Sequence, residues 1–403
     1  MIKSCLFIIN GDSSVIGGHK ISSLSLATAF HQHGWKVGVV MAPLQMDLPD
    51  VDLNSMIFYP ASLPHCALTA FIKRNFDILK AVCSNRYDVI VAAEYDSVIC
   101  SIAALLFTGI PLIQIQAGEK VPHFPPLNIP GIFVFSDMVY NGYQQRYGIP
   151  SDFLCLSSGR VNFKYFSNEL CIYPQKNIFT GEGRKILVVS RLEQKKIPTL
   201  ANLFVQIEMI GKREIIQLVI IGEGGAQASL QQNAAETLLH LHPKSSITFI
   251  GAFRVTPEIL KQAELVVGQG RTVLEAIASG VPASVSSEDG YFGLITSSNL
   301  LDLRTTDFTG KSMVNGTTLE NDLNKLHNFH KNGFEEVYDL AKEFFDVSVG
   351  IEAINILLEK YQQLYLGVFS RRWAYLRAYI QHFSFRFIYY LKKFIRRIFR
   401  YAK

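Results

Sequence analysis

Cysteine is scarce in this sequence of 403 residues: six, at positions 5, 66, 83, 100, 155 and 171, with no C-x-x-C pair. That scatter argues against a disulfide framework or a zinc knuckle and suits a reducing compartment. Charge is also modest, 18% against 49% hydrophobic residues, which rules out bulk disorder and a coiled-coil rod. There is no short-period repeat and no low-complexity tract. The opening Met1–Asp12 lacks the long apolar region and small-residue cleavage site of a signal peptide, so it reads as a first β-strand. Ser97–Gly118 is 22 residues without a formal charge, but Gly109-Ile110-Pro111 interrupts it. Helix, Gly/Pro turn and buried strand is the better reading of that stretch than a membrane span.

Acidic residues are missing altogether from 367–403, which holds ten Lys or Arg. The net charge of +5 therefore belongs to this tail; residues 1–366 hold 29 basic against 34 acidic residues, a balance of −5. A body of that sign disfavours nucleic acid as a partner.

What is present is material for two domains of ordinary size. Strand-like runs at Cys5–Ile9, Lys36–Met41, Val89–Ala93, Leu112–Gln116 and Ile132–Phe135 alternate with helical stretches at 20–33, 68–84, 97–107 and 137–147. The pattern pauses at 167–183 and restarts. Strands are expected at Lys185–Ser190, Gln217–Ile221, Ile247–Ile250, Leu265–Val267 and Pro282–Val285, with helices at 196–210, 226–240, 256–263 and 272–279. Helical patterning resumes over 317–365. This order predicts parallel sheets covered on both faces, which bind ligands at their strand carboxyl ends.

Four stretches at such ends carry chemistry. Gly17-Gly18-His19 closes a glycine-rich loop after the first strand, suited to an anion or to a plain turn; it does not match G-x-G-x-x-G. Arg191 and Lys196 follow a strand and fit a diphosphate, one as a fork and the other as a point charge, or form a solvated basic loop. Gly222-Glu223-Gly224 allows close approach of a sugar or base, or makes a tight turn. Gly268-Gln269-Gly270-Arg271-Thr272 leads a strand into a helix whose N-terminus favours phosphate. Glu275 follows, placed to accept from a ribose diol or to compensate the helix dipole.

The order of Gly17-Gly18, His33-Gly34-Trp35-Lys36-Val37, Arg191 with Lys196, Ile221-Gly222-Glu223-Gly224 and Leu274-Glu275-Ala276-Ile277-Ala278-Ser279-Gly280-Val281-Pro282 resembles the GT-B glycosyltransferases of the retaining family four. The resemblance spans most of residues 1–300. It implies an α/β chain of two Rossmann-like doubly wound domains facing a cleft. The expected organisation is an acceptor domain over 1–166, a linker over 167–183 and a donor domain over 184–345, then a closing helix over 346–366 and a tail over 367–403. It implies a nucleotide-sugar donor and transfer with retention, with no metal or other cofactor. Arg191 and Lys196 are the implied catalytic cations, stabilising the departing diphosphate. Gly222, Glu223, Gly270, Arg271, Thr272 and Glu275 are the implied donor contacts, and Gly17, Gly18 and His19 the loop near phosphate and acceptor. Members commonly carry a first glutamate where Val267 stands, and a His where Gln114–Glu119 runs.

In the tail, Trp373, Leu376, Ile380, Phe383, Phe387, Leu391, Phe394 and Ile398 recur every three or four residues among cations. An amphipathic helix over 371–401, lying on an anionic membrane surface, is expected, with packing against the body as the alternative. The whole reads as a glycosyltransferase at the inner face of the cytoplasmic membrane, acting on a lipid-linked glycan for lipopolysaccharide or capsule. The alternative is a non-catalytic GT-B partner of an active transferase.

Overall fold

The computed structural model describes residues 3–9, 18–42, 55–60, 68–118, 121, 125–167, 177–311, 313, 317–364, 367–381 and 383–384. They form two compact units. One runs to Ser157 and resumes at Gly350; the other runs from Ser158 to Val349.

The first unit is built on a seven-stranded sheet. Its strands are β1 (Ser4–Ile9), β2 (Lys36–Met41), β3 (Ile57–Pro60), β4 (Val89–Ala93), β5 (Leu112–Gln116), β6 (Ile132–Val134) and β7 (Leu154–Leu156), in the order β3-β2-β1-β4-β5-β6-β7. Every pairing is parallel, with Cys5 opposite both Val37 and Val89. β1 and β4 are buried along their whole length, which is why they read as unbroken apolar runs. In this unit the sequence pattern missed the short edge strands β3 and β7, too brief to carry a signal. The expected helix over 97–107 is two helices, Glu94–Cys100 and Ile102–Thr108, divided at Ser101. The Ser101 hydroxyl donates back to the Ser97 carbonyl at 2.7 Å.

The second unit has six strands: β8 (Arg184–Val189), β9 (Ile216–Ile221), β10 (Ser246–Phe249), β11 (Leu265–Gly268), β12 (Ala283–Ser287) and β13 (Gly290–Leu294). Their order is β10-β9-β8-β11-β12-β13, parallel except for the β12–β13 hairpin. Alternate residues serve two cores: Leu187, Val219 and Val266 pack on one face, Ile186, Val188, Leu218 and Val267 on the other. Both sheets are thus doubly covered, and the α/β reading holds.

Two boundaries move. Phe163 and Phe166, placed by the sequence in the first domain, are fully buried in the second unit's core, so the crossover falls at Ser157/Ser158. The helix Val347–Leu364 carries the chain back to the first unit. The tail is not a separate appendage at its start. Residues 368–381 are helical, and Tyr375, Ala378 and Tyr379 join the first unit's core beside Tyr361. The Tyr375 hydroxyl donates to the Ile110 carbonyl at 2.6 Å and that of Tyr379 to Val98 at 2.7 Å. Phe369, Trp373, Leu376, Ile380 and Phe383 stay exposed on another face of the same helix. Phe387, Leu391, Phe394 and Ile398 lie outside the described residues. No helix among the described residues is long and apolar enough to cross a membrane.

Candidate active site

At the carboxyl edge of the second sheet, the loop after β8 and the loop after β9 are stitched together. Leu192 N–H donates to the Glu223 carbonyl at 2.9 Å, and Ala226 N–H to the Leu192 carbonyl at 2.8 Å. Gly222 and Gly224 have φ of +145° and +154°, and a Cβ at either would run into the carbonyl of Ser190 or Leu192. Their glycine identity is thus fixed by close approach of protein backbone, the tight-turn reading of the sequence. Glu223 is exposed at the crest of that turn.

The cations sit on this platform. Glu193 pairs with Arg191 at 2.9 Å and with Lys195 at 2.9 Å. The hydrogen bond from Lys195 holds the Glu193 carboxyl below its ordinary range, helped by the charges of Arg191, Lys195 and Lys196. One carboxylate against three cations leaves the loop net positive. Arg191 remains about half exposed (47%), open to a ligand. Lys196 Nζ donates to the Gln269 side-chain carbonyl, and Gln269 Nε2 is anchored on the Ser286 and Thr309 carbonyls at 2.7 and 3.1 Å. Gln269, unassigned from sequence, therefore ties the cation loop to the Gly-x-Gly turn through a neutral partner.

That turn is shaped for an anion. Gly270 caps the helix Arg271–Ala278 with φ +62°, a conformation that favours glycine, and its N–H donates to the Phe308 carbonyl at 3.0 Å. The N-cap glycine has no side chain to bond the first-turn N–H groups, and a helix start of this kind favours an anion. Thr272 is half-buried over Gly268.

Arg271 and Glu275 depart from the sequence reading. Both side chains are only 6% exposed, with Arg271 Nε on Glu275 Oε1 at 2.6 Å. Arg254 reaches the same oxygen at 2.9 Å. Arg271 also donates to the Arg160 carbonyl, and Arg160 pairs with Asp307 at 2.5 Å. The Arg271 charge is thus spent inward, and Glu275 has two guanidinium partners. Arg254, Arg160 and Asp307 were invisible to sequence reasoning because they meet Glu275 and Arg271 only through the fold. Val267, where a family glutamate is common, is 1% exposed inside the core and does not reach the edge.

In the first unit, Gly17 lies outside the described residues, and Gly18 opens the helix Gly18–Gln32 with half-buried His19 beside it. The unexpected group is Glu94, directly after β4. Its φ is +65° and its carboxylate accepts from Gln116 Nε2 at 2.8 Å and Ala117 N–H at 3.2 Å. Desolvation pushes its pKa up to about 7, opposed by those two hydrogen bonds and reinforced by Asp96. A carboxyl raised this way favours folding most below its unfolded pKa, and that contribution is lost as pH rises towards 7. Glu94→Gln is therefore expected to melt higher than the wild type at pH 8 relative to pH 4.5, by at most about 3 kcal/mol. Melting curves of both proteins across that range check it.

Residues 183–298 match the family model for glycosyl transferases group 1. Among solved structures, a glycosyltransferase from Rickettsia africae ESF-5 is 12% identical with a TM-score of 0.62, covering 90% of this chain and 98% of that one. The lipopolysaccharide outer core galactosyltransferase WaaB, in apo form, is 15% identical at TM-score 0.54, covering 88% and 99%. Anabaena Alr3699/HepE in complex with UDP and glucose is 12% identical at TM-score 0.57, covering 89% and 97%. No curated protein sequence matches the chain. The chain has the fold of the GT-B glycosyltransferases. Its second unit carries a group 1 glycosyl transferase domain.

Proposed function

We propose that the protein moves a sugar, with retention, from a nucleotide-sugar donor to a lipid-linked glycan acceptor in lipopolysaccharide, capsule or other cell-surface polysaccharide synthesis. The observation that carries this reading is the joining of the Arg191–Lys196 loop, through Gln269, to a glycine-led helix N-terminus at a strand carboxyl edge. Arg191 and Lys196 hold the donor diphosphate and stabilise its charge as it leaves, with the N–H groups at Thr272 assisting. Gly222, Glu223 and Gly270 border the donor. Glu275, oriented by Arg254 and Arg271, meets the ribose. Gly17, Gly18 and His19 serve the acceptor side. The reading calls on no metal and no cofactor beyond the nucleotide-sugar co-substrate. Alr3699/HepE, with its bound UDP and glucose, supports a donor of this class.

The enzyme works in the cytoplasm as a peripheral protein on the inner face of the cytoplasmic membrane, held by 371–401. The exposed stripe of Phe369, Trp373, Leu376, Ile380 and Phe383, followed by seven Lys or Arg over 385–403, supports that placement.

Thermal-shift titrations of the full chain with uridine, guanosine, adenosine and cytidine diphosphates test the donor site. One of them is expected to raise the melting temperature, as a ligand bound only by the folded state must. Lys196→Ala should abolish that shift and lower turnover by roughly 100- to 1,000-fold. A shift that survives in Lys196→Ala, or none with any nucleotide, would overturn the assignment.

A further inference from the structure

The Gly268–Arg271 turn rests on a second loop, 306–310, whose bend its own residues do not favour. The helix Leu300–Thr305 ends in a Schellman motif: Phe308 N–H donates to the Leu303 carbonyl at 2.9 Å and Asp307 N–H to that of Arg304 at 3.0 Å. The left-handed position of such a motif is most often a glycine. Here it is Asp307, at φ +55°, and Phe308 after it is left-handed as well, at φ +57°. They are the only adjoining non-glycine residues of positive φ among the described residues. Aspartate tolerates that conformation better than most side chains, but phenylalanine does not, so contacts from outside the helix must hold the bend.

Two contacts do so. The Phe308 ring is buried in the second unit's core, edge-on to Phe345 with ring centroids 5.1 Å apart. The Asp307 carboxylate pairs with Arg160 at 2.5 Å, the two side chains 11% and 4% exposed. Glycine would suit the Asp307 backbone better, but it has no carboxylate to offer Arg160. The bend then delivers carbonyls to the turn. That of Phe308 accepts from Gly270 N–H at 3.0 Å, and that of Thr309 from Gln269 Nε2 at 3.1 Å. Gln269 in turn accepts from Lys196 Nζ. Arg160 reaches the turn by a second route, its own carbonyl accepting from the Arg271 guanidinium. The Asp307–Arg160 pair is therefore the point where both supports of the Gly268–Arg271 turn meet. Strain retained at such a point is characteristic of positions that hold a functional geometry.

We propose that Asp307 is a positioning residue of the donor site: its pair with Arg160 locks the 306–310 bend, and the bend fixes Gly270 and Gln269, and through Gln269 the Lys196 ammonium, where a diphosphate is held. Asp307 itself touches no ligand. The positioning role rests on the donor reading given above; the bracing of the turn does not.

The experiment compares the full wild-type chain with Asp307→Gly, Asp307→Asn and the double variant Arg160→Met/Asp307→Gly, well below their melting temperatures. Backbone hydrogen exchange, read residue by residue by mass spectrometry, reports on the turn. Calorimetric titration with uridine, guanosine, adenosine and cytidine diphosphates reports on the site. In Asp307→Gly the Gly270 amide should exchange about tenfold faster, the worth of one hydrogen bond. The Gly222 amide, bonded to the Gly251 carbonyl at 2.8 Å on the same sheet, should keep its rate. The diphosphate bound by the wild type should bind about tenfold more weakly. Asp307→Asn keeps an oxygen for Arg160 and tolerates the left-handed backbone, so it should recover most of both losses. The double variant removes the buried cation along with its partner and answers in place of Asp307→Gly if that chain does not fold; the same two losses are expected of it. Wild-type exchange at Gly270 together with wild-type affinity would overturn the proposal, because the Schellman bend would then stand without the ion pair. Equal acceleration at Gly222 and Gly270 would overturn it as well, since the loosening would be general, and so would faster exchange at Gly270 with unchanged affinity. A wild type that binds none of the four diphosphates would overturn the donor reading and the positioning role with it, while the Gly270 exchange still decides the bracing.

Discussion

Glu275→Ala is expected to lower stability by roughly 3–5 kcal/mol, read as a shift of the urea midpoint. The reason is the company Glu275 keeps. Arg254 is 7% exposed and Arg271 6%, and both direct a guanidinium at the same carboxylate oxygen. Removing the acid takes from two buried guanidiniums the carboxylate oxygen they share, which costs more than the pair's own net worth. Glu275→Gln keeps an acceptor oxygen and should lose less. Arg191→Ala, at a side chain 47% exposed, should stay within about 0.5 kcal/mol of the wild type. A melt of Glu275→Ala indistinguishable from that of Arg191→Ala would mean that the buried arginines are satisfied elsewhere. Loss of nucleotide binding in Glu275→Ala cannot by itself be credited to a ribose contact, because the same substitution disturbs the turn at Gly270.

Ending the chain after Leu366 is expected to be the more damaging change, lowering stability by more than about 5 kcal/mol. Each large aromatic removed from a packed core costs about 3–5 kcal/mol. The truncation removes Tyr375 and Tyr379, exposed by 0% and 2%, together with their hydrogen bonds to Ile110 and Val98. It also removes the Tyr375 hydroxyl to which Tyr361 donates, and the Arg371 and Arg372 bonds to the Gly109 and Phe107 carbonyls. Ending the chain after Ser384 spares all of these. That shorter deletion should melt like the full chain but lose sedimentation with vesicles containing anionic phosphatidylglycerol, because seven of the tail's ten cations go with it. If the deletion after Ser384 still sediments with the vesicles, 385–403 does not hold the enzyme at the membrane. If the deletion after Leu366 melts like the full chain, the docking of Tyr375 and Tyr379 is energetically idle.

The sequence by itself determined the alternation of strand and helix and hence two doubly wound sheets. Unbroken apolar runs such as Cys5–Ile9 and Val219–Ile221 are what strands buried on both faces require, and the pattern is local. Glycines at strand ends and the Arg191–Lys196 loop were legible for the same reason: each is a few consecutive residues whose chemistry needs no partner to be recognised. The hairpin strand β13, by contrast, carries no strand signal in Gly290-Tyr291-Phe292-Gly293, because only pairing with β12 makes two glycines part of a strand.

Tertiary structure alone decided how the charges are spent. Arg271 and Glu275 looked ligand-ready in a row of letters, but Arg254 and the Arg160 carbonyl, brought in from distant positions, turn both inward. Gln269 became the partner of Lys196, and Glu94 became a strained, half-buried carboxylate, through contacts between residues 73 and 22 positions apart. The tail shows the same division. Its three- and four-residue spacing predicts an amphipathic helix, which the described residues show over 368–381, but which of their aromatics face the protein was set by the surface offered by the first unit. Burial is a property of a residue's neighbours in space, and a sequence specifies those neighbours only once the chain has folded.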